Sequence, residues 1–320
     1  MPTTHSRILS RLNDLNHVSA VYLVGRTTLN FPCVGSYFFL PDFHLLSKNA
    51  RRGYNFSFHH DKGWSDGGGT YREPMLEEVL GTIPDEFALL HLGDLFDTWR
   101  EGLRPDEAAA RIRGDYAWVE AMSARAEASG GAVFVGNHDR LDSTIADPRM
   151  QRSRLIEGHI LVTHGDVFDG LEDAPDWLSA AAVASPVGKL FGSREINLTH
   201  SKLVQSETDV VPLTNNSHEL APAIAHFLGE LRQGNAAACQ RLGLPTRAHD
   251  IRAVVIGHTH HARLVWSGGA QALIFDCGAW IERCLTTAGY PPEPSAQVGV
   301  IAPTASGTAT DFRIYQLTVR

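Results

Sequence analysis

The sequence predicts a layered α/β sandwich with a helical insertion. Short segments rich in β-branched and aromatic residues alternate with helical patterns up to residue 163, and strand patterns return from residue 253 onward. Between them, residues 170–250 show helical patterns and few strand signals. Layered α/β folds often use about 250 residues or more in one domain. We therefore expect a single domain over 1–320, with 170–250 as the insertion.

The helical elements are predicted by apolar periodicity and by their end signals. Residues 6–16 form a short amphipathic pattern, and 74–80 begin with a proline, which the first turn of a helix accepts. The strongest helical pattern covers 106–128, and it is closed by Gly130-Gly131. Residues 47–72, which contain three successive glycines, are expected to form a long exposed loop.

The strands are predicted from short apolar runs bounded by turn residues. They are expected at 18–25, 35–40, 87–92, 132–135, 154–156, 160–163, 253–256, 264–266, 272–275, 298–301 and 312–317. Residues 157–159, with sequence EGH, lie between two of these runs and predict a hairpin or tight turn.

Composition narrows the class of protein. The net charge of −8 argues against sequence-independent binding to nucleic acid, which requires a basic surface. The four cysteines include no C-x-x-C pair, which is typical of a chain in a reducing compartment. No signal peptide and no membrane-length apolar stretch is apparent, so we expect a cytoplasmic protein. The oligomeric state stays open.

Polar side chains of the types that bind metals follow five of the predicted strands. They are Asp42 and His44; Asp94 and Asp97; Asn137, His138 and Asp139; His164 and Asp166; and His258, His260 and His261. The carboxyl ends of strands line the ligand crevice in α/β sheets, so we expect these clusters to converge.

The spacing within the clusters indicates how ions would be held. Side chains two residues apart on an extended segment point the same way, so Asp42 and His44 can bind one ion together. His258 and His260 also share a face, and they serve either one ion or two neighbouring ions. Two adjacent ions need a shared ligand, for which the carboxylate of Asp94 is our candidate. Mixed oxygen and imidazole ligands favour Mn, Fe or Zn.

The motifs D-x-H, G-D-x-x-D, G-N-H-D, H-G and G-H-x-H, in this order from Asp42 to His260, resemble those of the calcineurin-like metallophosphoesterases. The resemblance implies a four-layer α-β-β-α double β-sandwich. It implies one ion on Asp42, His44, Asp94 and His260, and a second on Asp94, Asn137, His164 and His258. The catalytic histidine of the family falls on His138, with Asp139 as its orienting partner.

The implied activity is hydrolysis of a phosphoester in a small phosphorylated substrate, by a hydroxide held between two divalent ions. His138 is expected to donate a proton to the leaving oxygen. Asp97 and Asp166 are expected either to support the ligands or to cap helices. His261 faces away from its neighbours in an extended chain and is a candidate for substrate contact. The insertion 170–250 is expected to form a cap over the site.

Two other functions stay open. The segment GDLFDTW and the insertion resemble the UDP-2,3-diacylglucosamine diphosphatases, which would make the substrate a nucleotide-diphosphate sugar. His138 stands where those enzymes carry arginine, which argues against that substrate. A metal-free scaffold that binds proteins is the alternative from another class, but such a protein need not keep the complete ligand set found here.

Overall fold

The computed structural model describes residues 4–49, 72–141, 144–168, 218, 220–280 and 296–319. The α-helices in these ranges are Thr4–Asn13 (α1), Arg72–Thr82 (α2), Thr98–Glu101 (α3), Pro105–Asp115 (α4), Ala117–Ala128 (α5), Ala221–Arg232 (α6) and Ala236–Arg241 (α7). The strands are Val18–Leu29 (β1), Ser36–Leu40 (β2), Phe87–His91 (β3), Ala132–Val133 (β4), Arg140–Leu141 (β5), Thr144–Ile145 (β6), Ser153–Ile156 (β7), Ile160–Thr163 (β8), Ala253–Ile256 (β9), Arg263–Ser267 (β10), Ala272–Asp276 (β11), Gln297–Pro303 (β12) and Thr310–Val319 (β13).

The described strands form two large sheets and one small hairpin. The six-stranded sheet has the order β1-β13-β12-β2-β3-β4, and the five-stranded sheet has the order β10-β11-β9-β8-β7. Strands β2, β3 and β4 run parallel, as do β11, β9 and β8, whereas the flanking strands are antiparallel. The predicted turn at 157–159 is confirmed, because β7 and β8 pair as an antiparallel hairpin. The fold is therefore mixed α/β.

Alternating side chains of the central strands belong to different hydrophobic clusters. Phe39 of β2 and Val255 of β9 belong to one cluster that joins the two sheets. Phe38, the neighbour of Phe39, instead packs in a cluster with α2 and α5. Val254 packs in a third cluster with α6 and α7. Because successive side chains of a strand point to opposite faces, both faces of these central strands are buried.

The predicted helix over 106–128 is two helices in the structure. Tyr116 separates α4 from α5 with φ −134° and ψ 90°, an extended conformation that interrupts the helical hydrogen bonds. Its ring is buried and lies 6.4 Å from the ring of Trp118. Burial of this aromatic side chain in the cluster with α2 and α5 overrides the helical periodicity of the sequence.

Most of the predicted insertion lies outside the described residues, since 169–217 and 219 are not among them. The described part carries α6 and α7, and Ile224 and Leu228 of α6 pack against Val254 and Ile256 of β9. The expected cap over the site stays a prediction for the remainder. Among the helices that the structure describes, none has both the length and the apolar character needed to cross a membrane.

Candidate metal centre

The predicted ligands lie just after the carboxyl ends of parallel strands from both sheets. The six-stranded sheet supplies Asp42 and His44 after β2, Asp94 after β3 and Asn137 after β4; the five-stranded sheet supplies His164 after β8, and His258 and His260 after β9. The expected convergence of these clusters is therefore observed, as the strand order requires.

Four of these residues form a compact group that can hold a metal ion. One ligand atom each from Asp42, His44, Asp94 and His260 lies within 4.8 Å of all the others. Nε2 of His44 is 3.0 Å from Nε2 of His260 and 3.4 Å from Oδ2 of Asp94. Nε2 of His260 is 3.2 Å from Oδ2 of Asp42. Ring nitrogens and carboxylate oxygens thus face one point, a donor set that suits Mn, Fe or Zn.

The other three expected ligands lie beside this group. Nε2 of His164 is 3.1 Å from Oδ1 of Asn137, 3.2 Å from Nδ1 of His258 and 3.3 Å from Oδ2 of Asp94. The same carboxylate oxygen is 3.4 Å from His44. Oδ2 of Asp94 therefore has a neighbouring histidine from each of the two ligand sets that the family resemblance implies.

The backbone is strained at four of the predicted ligands. His44, Asp94, His258 and His260 have φ values of 50°, 47°, 65° and 58°, in the left-handed region. Such conformations cost on the order of 1–3 kcal/mol each in residues other than glycine, and they concentrate at functional sites. The strain indicates that the position of these side chains matters more than the local stability of the backbone.

Two glycines allow the backbone to approach the carboxylates closely. A Cβ atom on Gly136 would lie 2.0 Å from Oδ1 of Asp94, and one on Gly257 would lie 2.1 Å from Oδ1 of Asp42. Any other residue at these positions would displace the carboxylate. The glycines of G-N-H-D and G-H-T-H are therefore part of the site.

The charges of the group fit a cation. Asp42 is fully buried, and its Oδ1 has no hydrogen-bond partner in the described part of the chain. Burial raises the pKa of Asp42 well above its usual range. Burial would also raise the pKa of Asp94, but the charge of His164, followed by those of His138 and His44, holds it well below its usual range. A buried cation would stabilise both carboxylates, so these residues fit a divalent metal ion.

His138 lies beside this group and is held by contacts on several sides. Its Nδ1 is 3.1 Å from Oδ1 of Asp97, and its backbone N–H donates to Oδ1 of Asp94 at 2.9 Å. The indole of Trp99 stacks on the imidazole with ring centres 4.2 Å apart. His138 also belongs to a second group of metal-binding types, with His44 and Asp97.

The expected and observed partners of His138 differ. Asp139 is fully buried, and its carboxylate accepts backbone hydrogen bonds from Phe96 at 2.8 Å and Gly136 at 2.9 Å. It thus ties the Asp94 loop to the loop of G-N-H-D, and burial raises its pKa to about 8. The carboxylate beside the imidazole is that of Asp97. Asp97 precedes α3 but makes no side-chain cap, which favours the supporting role over the capping role.

The last two sequence candidates lie at the edge of the site. Asp166 accepts a hydrogen bond from Nη2 of Arg140 at 2.9 Å. His261 is half-buried, and its backbone N–H donates to Oγ1 of Thr259 at 3.2 Å. Contact with a substrate stays a prediction for His261.

Sequence reasoning assigned no site role to four residues that touch this region, Trp99, Thr259, Asp276 and His218. Trp99 stacks on His138, and Asp276 accepts hydrogen bonds from Thr259 and His218. The position of Trp99, five residues after Asp94, was the one available signal, because it places the indole at the start of the short α3. No sequence pattern connects His218 with Asp276, since they lie 58 residues apart and meet only in the folded chain.

In comparisons with known proteins, neither a protein-family model nor a curated protein matches this chain.

Proposed function

We propose that the protein is a metal-dependent phosphoester hydrolase of the calcineurin-like type. The observation that carries the proposal is the buried group of Asp42, His44, Asp94 and His260, whose ligand atoms lie within 4.8 Å of one another. Three of these four residues adopt left-handed backbone conformations, which favours a functional role over a structural one. The reaction class is inferred from the ordered motifs that resemble the family.

We also propose that the fold is the four-layer α-β-β-α sandwich of that family. The cluster shared by the two sheets would be the middle of the sandwich. The clusters with α2 and α5 on one side and with α6 and α7 on the other would be the outer interfaces.

The proposed centre holds two divalent ions, with Mn, Fe or Zn as the candidates. The first would be held by Asp42, His44, Asp94 and His260, and the second by Asp94, Asn137, His164 and His258. Support for a shared ligand comes from Oδ2 of Asp94, which is 3.4 Å from His44 and 3.3 Å from His164. Ions about 3.5–4 Å apart require such a bridge.

The ions, when bound, would offset charge on the phosphate oxygens and lower the pKa of a water molecule. The residues of the chain then orient and protonate the substrate. Asp97 accepts a hydrogen bond from Nδ1–H of His138, so the imidazolium form of the ring carries its second proton on Nε2 and donates it to the departing oxygen. Trp99 restricts the imidazole from one face, and Asp139 fixes the loops that carry Asp94 and Asn137.

The test is metal loading followed by a substrate panel. Protein stripped with a chelator is loaded with Mn²⁺, Zn²⁺ or Fe²⁺ and assayed on nitrophenyl phosphate, bis-nitrophenyl phosphate and a UDP-sugar. We expect metal-dependent hydrolysis of at least one phosphoester. Activity on the UDP-sugar alone would instead support the nucleotide-diphosphate-sugar hydrolase, and metal binding without hydrolysis would contradict the proposal.

A pair of variants links activity to the centre. Asp94→Asn should reduce the amount of bound metal below that of the wild type and abolish measurable hydrolysis, because the bridging charge is lost. Asp250→Asn is the matched control: this exposed carboxylate lies 3.4 Å from Nδ1 of His159, near the amino end of β9, away from the centre. It should retain both metal and activity. A wild type that binds no metal would favour the metal-free scaffold.

A further inference from the structure

The turn after β9 places one residue, Thr259, between the two predicted ligands His258 and His260. Its side chain is buried, and its hydroxyl both donates and accepts a hydrogen bond. Oγ1 donates a hydrogen bond to Oδ2 of Asp276 and accepts one from the backbone N–H of His261 at 3.2 Å. Thr259 therefore connects the ligand-bearing turn to a carboxylate on the neighbouring strand.

Asp276 is itself held in place by its surroundings. It is fully buried at the end of β11, where it pairs in parallel register with Ile256 of β9. The backbone N–H of Gly278 donates to its Oδ1 at 3.0 Å, and Nε2 of His218 is 3.2 Å from its Oδ2.

The tautomer of His218 follows from the hydrogen bond made by Nδ1, the ring nitrogen that does not face Asp276. Nδ1 accepts a hydrogen bond from the backbone N–H of Leu220 at 3.2 Å. The ring proton of a neutral His218 therefore lies on Nε2, which donates to Asp276. A continuous set of hydrogen bonds runs from His218 through Asp276 to Thr259.

The turn needs such support because its conformation is unfavourable by itself. His258 and His260 have φ values of 65° and 58°, on either side of Thr259. Conformations of this kind persist only where the surrounding structure imposes them. On one side, the backbone N–H of His258 donates to Oδ2 of Asp42 at 2.8 Å. On the other side, the Thr259 hydroxyl is held by Asp276.

We infer that Thr259, Asp276 and His218 are positioning residues that hold the His258–His260 turn in its metal-binding conformation. The inference rests on the proposed metal centre. Loss of the hydroxyl would let the turn relax toward ordinary backbone angles, and both imidazoles would leave their positions. Outer hydrogen-bonding partners of metal ligands contribute roughly 10–100-fold to metal affinity.

The experiment measures binding of Mn²⁺ alone to the stripped full-length chain by isothermal titration calorimetry. Thr259→Val keeps the branched shape and removes the hydroxyl, so we expect affinity to fall by roughly 10–100-fold. Thr259→Ser keeps the hydroxyl and should bind like the wild type. Thr310→Val is the control and should bind Mn²⁺ like the wild type. The buried hydroxyl of Thr310 donates to the carbonyl of Phe31 at 2.7 Å, at the opposite end of the sheets from the metal centre.

The role of His218 is tested by a double-mutant cycle. His218→Leu should also weaken Mn²⁺ binding, because it removes a donor from Asp276. The double mutant Thr259→Val/His218→Leu should lose less Mn²⁺ binding free energy than the sum of the two single losses, since both substitutions act through the carboxylate of Asp276. Full additivity would contradict the path through Asp276.

The outcomes separate the two proposals. A wild type that does not bind Mn²⁺ contradicts the proposed function. Equal Mn²⁺ affinity of the wild type and Thr259→Val contradicts this inference alone, as does loss of affinity in Thr259→Ser. If Thr259→Val does not fold, Thr259→Ala gives the same comparison without the valine methyl group in the hydroxyl site.

Discussion

His138 has contacts that suit a proton donor, and they set the first prediction. Asp97 holds Nδ1, and Trp99 covers one face of the ring. A general acid contributes about 10²–10⁴-fold when the departing oxygen is a poor leaving group. His138→Asn should therefore slow hydrolysis of an alkyl or sugar phosphoester by roughly that factor. It should affect a nitrophenyl ester much less, because nitrophenolate leaves without a proton.

The metal content of this variant is its control. We expect His138→Asn to retain the metal of the wild type, measured by elemental analysis. Loss of metal would show that His138 acts as a ligand, in the group it forms with His44 and Asp97. Equal losses on both esters with intact metal would assign the residue to phosphate binding or charge stabilisation.

At the level of single residues, the sequence predicted the types and spacing of the ligand side chains, but not which side chains contact each other. All seven expected ligands are brought together, because each follows a parallel strand whose carboxyl end is set by the sheet. The partner of His138 was predicted as Asp139, its neighbour in sequence, whereas the structure places Asp97 beside the ring. Sequence adjacency gave no information here, since the short helical turn Asn137–Asp139 directs these side chains apart.

The bounds of the strands could be predicted where the local sequence determines them, and they differ where pairing with a distant strand determines them. The strands at 253–256 and 160–163 were predicted with the bounds that the structure shows, because their apolar runs are continuous and both faces are buried. The strand predicted at 18–25 extends to Leu29 in β1, since its pairing with β13 continues beyond the apolar run. Such extension depends on a partner strand that the local sequence does not contain.

Helix α1 carries a histidine that should make its docking depend on pH. His5 is 2% exposed, and its Nε2 lies 3.7 Å from Oδ2 of Asp311. Burial, followed by the charge of Arg313, lowers the pKa of His5 to about 4 from 6.5. The unfolded chain thus takes up the proton at higher pH than the folded chain. Stability from this residue is present above pH 6.5 and is lost as the pH falls through 4.

The corresponding test compares the wild type with His5→Leu. The free energy of unfolding of the wild type should decrease between pH 7 and pH 4, relative to the variant, by on the order of 3 kcal/mol. Chemical denaturation at a series of pH values measures the difference. Parallel pH profiles of the two proteins would show that His5 is not held neutral by burial.

A substitution in helix α6 tests whether the described part of the insertion supports the fold rather than the metal site. Leu228 is fully buried in the cluster with Val254 and Ile256. Leu228→Ala should lower the free energy of unfolding by about 2–5 kcal/mol, because it leaves a cavity. Its Mn²⁺ affinity should equal that of the wild type, as the cluster is separate from the ligands. His226→Ala, at an exposed position of the same helix, should change neither quantity. A change in affinity for Leu228→Ala would indicate that α6 supports the metal site directly.

For the whole molecule, a metal centre built from both sheets should couple metal content to stability. Asp42 and Asp94 come from the six-stranded sheet, and His164 and His258 come from the five-stranded sheet. A ligand that binds only the folded chain stabilises it by about 2.7 kcal/mol at 100 times its Kd. Mn²⁺ at that excess should therefore raise the Tm of the stripped protein, and a chelator should reverse the shift. An unchanged Tm, measured by calorimetry, would contradict metal binding by the native fold.

The position of β13 in the six-stranded sheet has a consequence for the order of folding. β13 lies between β1 and β12, and its pairs include Val18 with Val319 and Leu29 with Thr310. Strand β1 is thus synthesised before its partner β13 and joins the sheet only when the chain has grown past residue 310. Contacts so distant in sequence close slowly. In a refolding experiment with pulsed hydrogen exchange, the amides of β1 should gain protection after those of β7 and β8, whose hairpin is local.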